Sequence, residues 1–345
     1  MSEPLISVIV PAFNAGAYIE ATLDSVLGQT YARREVIVVD DGSTDDTPAR
    51  VARYGSAVRC LRQENAGQCA ARNAGIAATR GQYMAFLDAD DVWLPEALAT
   101  QQAIAAANPA SGLVAGDGIV VDGEAVVGEG LLWGPLAARL VAERGAVLTG
   151  HLYREMVARN PITTPGQTLI PRAVIERVGP MRTERHLSGD WEYYLRIAAH
   201  YPITVHHHRL VRYTYRSASV SGPRALRRFR WTLRDLPVLK LQLREGPPAE
   251  RPLVRQALRE AARTRAREAY YHGRRHDLAW SRAYLRRLAR HAPTDPRVLG
   301  WALALWLPEP LIGAFRAAAR LAVRLPAARR RRRARRLTRA AGGGA

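Results

Sequence analysis

The sequence predicts an α/β protein with a doubly wound, mostly parallel sheet flanked by helices, followed by a basic region made of helices alone. Over the first hundred residues, short apolar runs alternate with helical patterns, and connections of a few residues join them. Such alternation is typical of parallel strands joined by right-handed crossovers. The charge divides the 345-residue chain, because residues 1–223 hold 20 basic and 23 acidic side chains while residues 224–345 hold 31 and 8.

Four apolar runs are the candidate strands of the first hundred residues. Each run is short and rich in β-branched or aliphatic residues, and each is followed by turn-forming residues and then by a helical pattern. The runs are 5–10, 36–39, 58–61 and 84–87. The helices expected after them are 17–27, one capped at 43, 44 or 45 and ending near 54, 68–79, and one ending near 107.

Polar loops follow three of these runs, at 11–14, 40–46 and 88–91. The carboxyl ends of parallel strands meet at one edge of a sheet, so these loops should converge on the crevice where open α/β sheets bind ligands. The last loop holds three carboxylates, which repel one another unless a cation, hydrogen bonds or solvent offsets the charge. A divalent metal shared with substrate phosphates would do so. A solvated acidic turn that caps the next helix is the alternative at this point.

The second part of the sequence is less regular. Residues 113–127 predict a hairpin with its turn at Asp122-Gly123, and 131–160 predict a variable insertion with helical patches near the acceptor. A short helix should end near 179, and residues 203–213 should form a strand. On that strand His206 and His208 would share a face, but no third ligand stands at metal-like spacing, so we do not expect a metal there.

Composition narrows the class of protein. Cys60 and Cys69 provide neither a disulfide framework nor a metal-ligand spacing, which suits a reducing compartment. The first residues lack the basic and apolar regions of a signal peptide. The longest apolar run, 298–307, is about half of a membrane span. We therefore expect a cytoplasmic protein.

Four polar blocks, taken in order, resemble those of the family 2 glycosyltransferases. They are Ile6-Ser-Val-Ile-Val-Pro-Ala-Phe-Asn, Val38-Val-Asp-Asp-Gly-Ser-Thr-Asp, Asn65-Ala-Gly with Ala71-Arg-Asn-Ala-Gly, and Phe86-Leu-Asp-Ala-Asp-Asp. The resemblance extends over roughly residues 5–222. It implies the GT-A fold and the inverting transfer of a sugar from a nucleoside-diphosphate sugar to a hydroxyl acceptor.

The resemblance also implies roles for single residues. Phe13 would lie near the base, Arg72 near the diphosphate and Asp88 near the ribose. Asp90 would hold Mn²⁺ or Mg²⁺, with Asp88 and Asp91 as further candidates, since a metal neutralises the charge that grows on a departing diphosphate. The implied donor-binding residues are Pro11, Ala12, Phe13, Asp40, Asp41, Arg72, Asp88 and Arg216.

A later block, His186-Leu-Ser-Gly-Asp-Trp-Glu, resembles the motif in which an acid opens a helix that begins with Trp. The resemblance implies that Asp190 is the general base that takes a proton from the acceptor hydroxyl. The residues alone also allow Asp190 to be the N-cap of that helix. The family usually has an acid just before this Asp, where this sequence has Gly189, and Glu192 could stand in for some of its contacts.

The basic end of the chain predicts a surface element. Residues 311–325 form an apolar helical pattern with Arg316, Arg320 and Arg324 at spacing four, and an arginine cluster follows. The apolar partners are Trp301, Trp306, Leu307 and Phe315. We favour contact with an anionic membrane surface over a solvated helical cap or nucleic-acid binding, because nucleic-acid tails usually lack such an apolar half.

These inferences predict three regions. Residues 1–222 form a GT-A domain, with a nucleotide-binding half at 1–110 and an acceptor half at 111–222, and 223–326 form a helical region before an Arg-rich disordered tail at 327–345. The predicted activity builds bacterial cell-surface or lipid-linked glycans, with the protein peripheral on the inner face of the cytoplasmic membrane. The alternatives are a basic nucleic-acid- or membrane-binding protein with an inactive scaffold, or a nucleotidyltransferase.

Overall fold

The structure is a computed structural model that describes residues 3–132, 134–142, 147–184, 187–215, 235–275, 278–289, 295–304 and 306. The chain forms two compact units, Met1–Leu258 and Arg259–Ala345. The predicted boundaries at 222 and 326, and the predicted tail at 327–345, lie outside the described residues and stay predictions.

Unit one is an α/β domain. Its strands are β1 (Ile6–Ala12), β2 (Arg34–Asp40), β3 (Arg59–Arg62), β4 (Tyr83–Phe86), β5 (Val92–Trp93), β6 (Leu113–Asp122), β7 (Ala125–Glu129), β8 (Val147–Gly150), β9 (Thr168–Pro171) and β10 (Ile203–Thr214). Its helices are α1 (Ile19–Leu27), α2 (Thr47–Ala52), α3 (Gln68–Ala78), α4 (Ala97–Ala107), α5 (Gly134–Ala142), α6 (Tyr153–Ala158), α7 (Arg172–Val178), α8 (Gly189–Ala198) and α9 (Asp235–Glu245).

The strands form one curled sheet in the order β3-β2-β1-β4-β9-β6-β10-β5, with β7 on β6 and β8 on β10. The strands β3, β2, β1 and β4 run parallel, as the alternation of strand and helix predicts. Strand β9 is antiparallel to both of its neighbours, β4 and β6. The predicted α/β fold class is confirmed, and β9 joins a parallel first half (3–110) to a mixed second half (111–215).

The apolar runs form the core because both faces of the parallel strands are covered. On one face, Val8 and Val10 of β1 belong to a large buried cluster with Ile19 and Leu23 of α1. On the other face, a smaller buried cluster joins residues of β2 to α3. Covered faces leave the strand ends as the places where polar side chains can gather.

The elements of the first half agree with the sequence prediction within a few residues. The main difference is α2, which begins at Thr47 rather than at the predicted caps. The N-cap is Asp46, and Asp45 just before it supports the helix start, because its Oδ1 accepts hydrogen bonds from the backbone N of Thr47 at 3.0 Å and from the Thr47 hydroxyl at 2.5 Å.

The second half contains the predicted hairpin as β6 and β7, with Gly123 at φ 58° in the turn. The predicted neighbourhood of His206 and His208 is found, since their ring centres lie 5.4 Å apart, but the regular strand on which it was based is interrupted. The pairing of β10 with β6 shifts between Val205 and Arg209, so the alternation of faces breaks there, and His206 is buried while His208 is exposed. Burial lowers the pKa of His206 to about 3, which makes the imidazole neutral.

The described helices of the basic region are α10 (Arg251–Arg275), α11 (Leu278–Ala289) and α12 (Pro296–Ala304). In unit two, the Arg263 guanidinium donates to Asp295 Oδ2 at 2.8 Å. Arg316, Arg320 and Arg324 of the predicted stripe lie outside the described residues. None of the helices in the described part of the chain is both long enough and apolar enough to cross a membrane.

Candidate active site

The loops after β1 and β2 are tied together by short hydrogen bonds. Asn14 adopts φ 49°, a left-handed conformation that Asn tolerates better than most residues. Its side-chain Oδ1 accepts from the backbone N of Thr44 at 2.8 Å, and the backbone N of Ala15 donates to Thr47 Oγ1 at 2.8 Å. The two strand-end loops therefore form one rigid edge of the crevice.

Asp41 fixes a third segment, the loop before α3. Its Oδ1 accepts from Gln63 Nε2 at 2.7 Å and from the backbone N of Ala66 at 2.9 Å, and its Oδ2 accepts from the backbone N of Gly67 at 2.8 Å. The Asn65 side chain closes the contact by donating to the backbone oxygen of Asp41 at 3.0 Å. Asp41 thus holds the Asn65-Ala66-Gly67 block in place, a structural role that the sequence did not indicate.

Asp40 is buried beneath the same loop. Its Oδ1 accepts from the backbone N of Ser43 at 2.9 Å, and its Oδ2 lies 3.4 Å from Arg62 Nε. Gly42, in the turn between Asp40 and Ser43, adopts φ 79°, and a Cβ there would lie 3.0 Å from the backbone N of Asn65. Because L side chains rarely adopt that φ, this turn requires glycine.

Pro11, Ala12 and Phe13 occupy the end of β1, as predicted for the nucleoside pocket. The backbone oxygen of Ala12 accepts from Asp41 N at 2.8 Å, which joins this segment to β2. Phe13 is 50% exposed. An aromatic ring left in solvent beside a polar crevice offers a surface on which a planar base can stack.

Arg72 lies at the centre of the site. It is on α3, only 1% exposed, and its Nη2 donates to Asp88 Oδ1 at 2.6 Å. Its Nε and Nη1 have no hydrogen-bond partner among the described residues. Burial opposes the positive charge, but the surrounding acidic groups, Asp88 foremost among them, together outweigh it and the pKa of Arg72 is raised. The guanidinium is therefore charged and still has donors to offer.

The three carboxylates after β4 separate into two kinds. Asp88 and Asp90 are half-buried, whereas Asp91 is 1% exposed. Asp91 Oδ2 accepts from Thr164 Oγ1 at 2.7 Å, and Oδ1 accepts from the backbone N of Thr214 at 3.1 Å. Burial, with the nearby charge of Asp88, raises the pKa of Asp91 to about 8. Asp91 thus connects the acidic loop to two segments of the second half.

Asp190 lies in the first turn of α8, whose N-cap is Ser188, so it is not the N-cap itself. Its Oδ1 accepts from the backbone N of Trp191 at 2.8 Å and from Ser188 Oγ at 3.2 Å. Burial raises the pKa of Asp190 against the opposing field of Arg72. Gly189, the neighbour of Asp190, lies against Cys69 on the same helix as Arg72, so the structure brings Asp190 near the Arg72–Asp88 pair.

The helix that carries Asp190 is firmly anchored. Trp191 is buried and its Nε1 donates to the backbone oxygen of Met156 at 2.9 Å. Glu192 is also buried and pairs with Arg182 at 3.3 Å and Arg196 at 3.1 Å. The structure gives Glu192 a role in anchoring α8, and its stand-in role for the acid missing at Gly189 stays a prediction.

The structure explains why residue 189 is a glycine. A Cβ at this position would lie 2.4 Å from Cys69 Sγ of α3, closer than real Cβ contacts. Burial raises the pKa of the Cys69 thiol, whose surroundings include Arg72 and Asp190. The thiol therefore occupies the space that a side chain at 189 would need, a contact that sequence reasoning missed because the two residues are 120 positions apart.

The metal prediction can be compared with the donor groups present. In the described ranges, no group of three or more His, Cys, Asp or Glu side chains is arranged to hold a metal ion. Two carboxylates at the crevice, Asp88 and Asp90, still fit a divalent ion that takes its other oxygen ligands from a diphosphate and water. The predicted Arg216 lies outside the described residues, so its role stays a prediction.

Comparison with known proteins agrees with this architecture. A putative teichuronic acid biosynthesis glycosyltransferase of Bacillus subtilis is 42% identical over 103 residues, which is 29% of this chain and 41% of that protein. A UDP-Glc:α-D-GlcNAc-diphosphoundecaprenol β-1,3-glucosyltransferase of Escherichia coli is 36% identical over 131 residues, 37% of this chain and 51% of that protein. The chain thus spans about half or less of the length of these curated relatives.

Two solved structures share the fold. Staphylococcus aureus TarS, residues 1–349 in complex with UDP, aligns with TM-score 0.60 and 19% identity over 90% of this chain and 87% of that chain. The mannosyltransferase PcManGT from Pyrobaculum calidifontis, in complex with GDP-Man and Mn²⁺, aligns with TM-score 0.55 and 22% identity over 93% and 87%. At such identities the likeness concerns the fold.

The curled sheet and the polar strand ends define a GT-A-type α/β protein, as predicted. Residues 7–176 match the family described as glycosyl transferase family 2, and the chain belongs to that family through this domain. The family predicted from the four sequence blocks is therefore confirmed.

Proposed function

We propose that the protein is an inverting glycosyltransferase that moves a sugar from a nucleoside-diphosphate sugar to a hydroxyl of its acceptor. The observation that carries this proposal is Arg72, which is buried and charged yet has two donor nitrogens without a partner among the described residues. An unpaired buried donor costs roughly 1–3 kcal/mol, so a bound ligand that accepts from these nitrogens would remove a substantial penalty. A diphosphate supplies the required oxygens.

Asp190 is the proposed general base. The two hydrogen bonds that the described residues make to its side chain both fall on Oδ1, and Oδ2 is the oxygen proposed to accept the proton of the acceptor hydroxyl. Its raised pKa brings the carboxylate closer to neutral pH, and this makes it a stronger base than an exposed Asp. The oxygen of the acceptor then attacks the sugar carbon opposite the diphosphate, whose departing charge Arg72 stabilises.

The proposed metal is Mn²⁺ or Mg²⁺, held by Asp90, with Asp88 as a second ligand. A divalent ion held there would supply Lewis-acid stabilisation of the negative charge on the diphosphate. The Pyrobaculum mannosyltransferase, whose structure is a complex with GDP-Man and Mn²⁺, supports this choice through a relative of the same fold. Asp91 is a weaker candidate ligand, since both of its oxygens already accept hydrogen bonds within the protein.

The chemical classes of the donor and the acceptor are proposed from the names of similar proteins and from the residues that line the crevice. Pro11, Ala12 and Phe13 would form the nucleoside pocket, and the UDP in the TarS complex supports a nucleotide donor. The Escherichia coli relative is named for a diphosphoundecaprenol-linked acceptor. We propose a lipid-linked or cell-surface glycan acceptor and a protein peripheral on the inner face of the cytoplasmic membrane, touching anionic lipids.

The central test compares nucleoside with nucleoside-diphosphate binding. UDP, GDP and dTDP, each with Mn²⁺, are titrated by calorimetry beside the matching nucleosides. Arg72→Gln should weaken binding of the preferred nucleoside diphosphate about tenfold or more, because it removes a charged donor from the diphosphate. Binding of the matching nucleoside should stay unchanged. Arg177→Gln, an exposed arginine on α7, is the matched control.

Two outcomes would contradict this function. The first is no binding of any nucleoside diphosphate in the presence of Mn²⁺ or Mg²⁺. The second is release of pyrophosphate rather than a nucleoside diphosphate during turnover, which would indicate a nucleotidyltransferase. Asp90→Ala should abolish the part of donor binding that depends on the metal, and retention of that part would refute the role given to Asp90.

A further inference from the structure

Helix α12 is apolar on two sides. Val298 and Ala304 are fully buried within unit two. On the other side, Leu299, Leu303 and Trp306 are 38%, 67% and 59% exposed. Leu299 and Leu303 are one turn apart on α12, and Trp306 lies in the turn after the helix; we call these three exposed residues the α12 outer face. A helix that is apolar all round normally has both sides covered, so this face lacks a cover in the described part of the chain.

The outer face is held in a fixed position. The Asp295 carboxylate begins the helix by accepting from the backbone N of Arg297 at 3.0 Å and from that of Val298 at 3.4 Å. The ring of Trp301 lies 4.7 Å from the ring of Tyr270 on α10. Because α12 is capped and packed on its inner side, its outer side stays exposed without any local unfolding.

Positive charge borders the outer face. The guanidinium carbon of Arg282, on α11, lies 4.2 Å from the centre of the Trp306 ring. Arg286 is one turn further along α11 and is exposed. Residues 259–345 contain 22 arginines against five acidic residues. The surroundings of the face therefore attract anions.

We propose that the α12 outer face docks on an anionic lipid bilayer, with Leu299, Leu303 and Trp306 entering the acyl boundary and Arg282 and Arg286 at the level of the lipid phosphates. The proposal identifies the residues that would make the membrane contact. It rests on the proposed function only for the statement that the protein lies at a membrane. Trp and Arg both suit the interface, since each has an apolar body and a polar end.

Other occupants fit less well. A nucleic acid would match the arginines, but two leucines at the centre of the contact offer nothing to a phosphate backbone. A second copy of this chain would match the leucines, but it would bring together two strongly basic surfaces. A bilayer with anionic lipids matches both halves of the face.

The experiment measures sedimentation of the full-length protein with vesicles of equal parts phosphatidylglycerol and phosphatidylcholine, and with pure phosphatidylcholine vesicles. Binding should be strong with the anionic vesicles and weak with the neutral ones. Leu303→Glu should weaken anionic-vesicle binding roughly tenfold or more, because a charge replaces a side chain that enters the bilayer. Leu303→Ile should bind within about twofold of the wild type, because the apolar volume is kept.

Val141→Glu is the matched control, an equally severe change at a 76% exposed valine on α5 of unit one. It should bind vesicles like the wild type. Nucleoside-diphosphate binding by Leu303→Glu should be normal, which separates failure of the docking face from failure of the proposed activity.

Three results would overturn the proposal. One is equal vesicle binding by Leu303→Glu and the wild type. Another is salt-sensitive binding to RNA or DNA that outcompetes the anionic vesicles and ignores Leu303→Glu. The third is a dimer in solution that Leu303→Glu converts to a monomer while vesicle binding is kept. If Leu303→Glu does not fold, Leu303→Ser takes its place and should also weaken binding to the anionic vesicles.

Discussion

The first and second halves of unit one secure their functional groups by different means. In the first half, polar groups at the strand ends hold one another, as Asp41 does with the loop that contains Asn65 and Gly67. In the second half, Asp190 stands on a helix whose place is set by buried side chains, among them Trp191. The first arrangement is made of local loop contacts, and the second depends on packing between distant elements.

This difference bears on how each half tolerates change. A loop network loses its geometry when one carboxylate is removed, whereas a packed helix keeps its place when a side chain of its first turn is exchanged for an isostere. Substitution of an acidic residue should therefore lower mainly the stability in the first half and mainly the rate of transfer in the second half.

The largest effect is expected from Asp190→Asn. Loss of a general base costs about 10²–10⁴-fold in rate, while the isosteric amide keeps the fold. We expect transfer, measured as release of the nucleoside diphosphate, to fall by this amount. Nucleotide affinity and thermal stability should match those of Asp122→Asn, an exposed acid in the hairpin turn that serves as the control. Transfer at the wild-type rate would remove Asp190 from the mechanism.

Asp41→Ala should have its main effect on stability. The variant loses three hydrogen bonds to a carboxylate and leaves the backbone N of Ala66 and of Gly67 unpaired. A cost of about 3 kcal/mol in the free energy of unfolding is expected, measured by urea titration. A change below about 0.5 kcal/mol, the usual size for a surface site, would show that the loop does not depend on this residue.

The contact between Gly189 and Cys69 joins the two halves and can be tested as a pair. Gly189→Ala alone should cost about 2 kcal/mol, because the new methyl group meets the Cys69 sulfur. Adding Cys69→Ala should restore stability, since the remaining neighbours of that Cβ lie at 3.5 Å or more. Additive effects of the two changes in a double-mutant cycle would refute the contact.

The smallest effect concerns the pH dependence of stability at Asp91. A folded pKa of about 8, above the usual value of about 4, means that the native state keeps a proton that the unfolded state has lost. The stabilisation is complete below pH about 4 and disappears as the pH rises through about 8. Asp91→Asn mimics the protonated form, so its stability relative to the wild type should rise steadily between pH 5 and about pH 8 and then level off.

The measurement is the free energy of unfolding of both proteins across that pH range. Asp122→Asn again serves as the control for the loss of a carboxylate at an exposed site. A constant difference for Asp91→Asn would mean that Asp91 is ionised in the native protein.

The sequence predicted the first half well because its signals are local. An apolar run, a turn-forming loop and a helical pattern lie within about thirty residues of one another, so β1 to α3 could be inferred from neighbours alone. The family resemblance implied only that Arg72 lies near the diphosphate and Asp88 near the ribose. The structure adds that the guanidinium is buried and lacks partners for two of its nitrogens among the described residues.

Other features could not be inferred because their causes lie far along the chain. The partners of Asp91 are Thr164 and Thr214, and no local pattern connects them to an acidic loop. The break in the alternation of β10 falls within His206-His207-His208, where three identical residues give no hydropathy signal. Such features depend on packing, which the order of residues does not display.

Strand β9 has a consequence for how the protein comes into being on the ribosome. It occupies the place between β4 and β6, pairing Met84 with Ile170 and Val114 with Leu169. Until about residue 171 has left the ribosome, the edge of β4 beside the acidic loop has no partner and can pair with another nascent chain. The sheet can therefore be completed only after β9 has been synthesised. Fast synthesis, or termination of translation before β9, should favour aggregation.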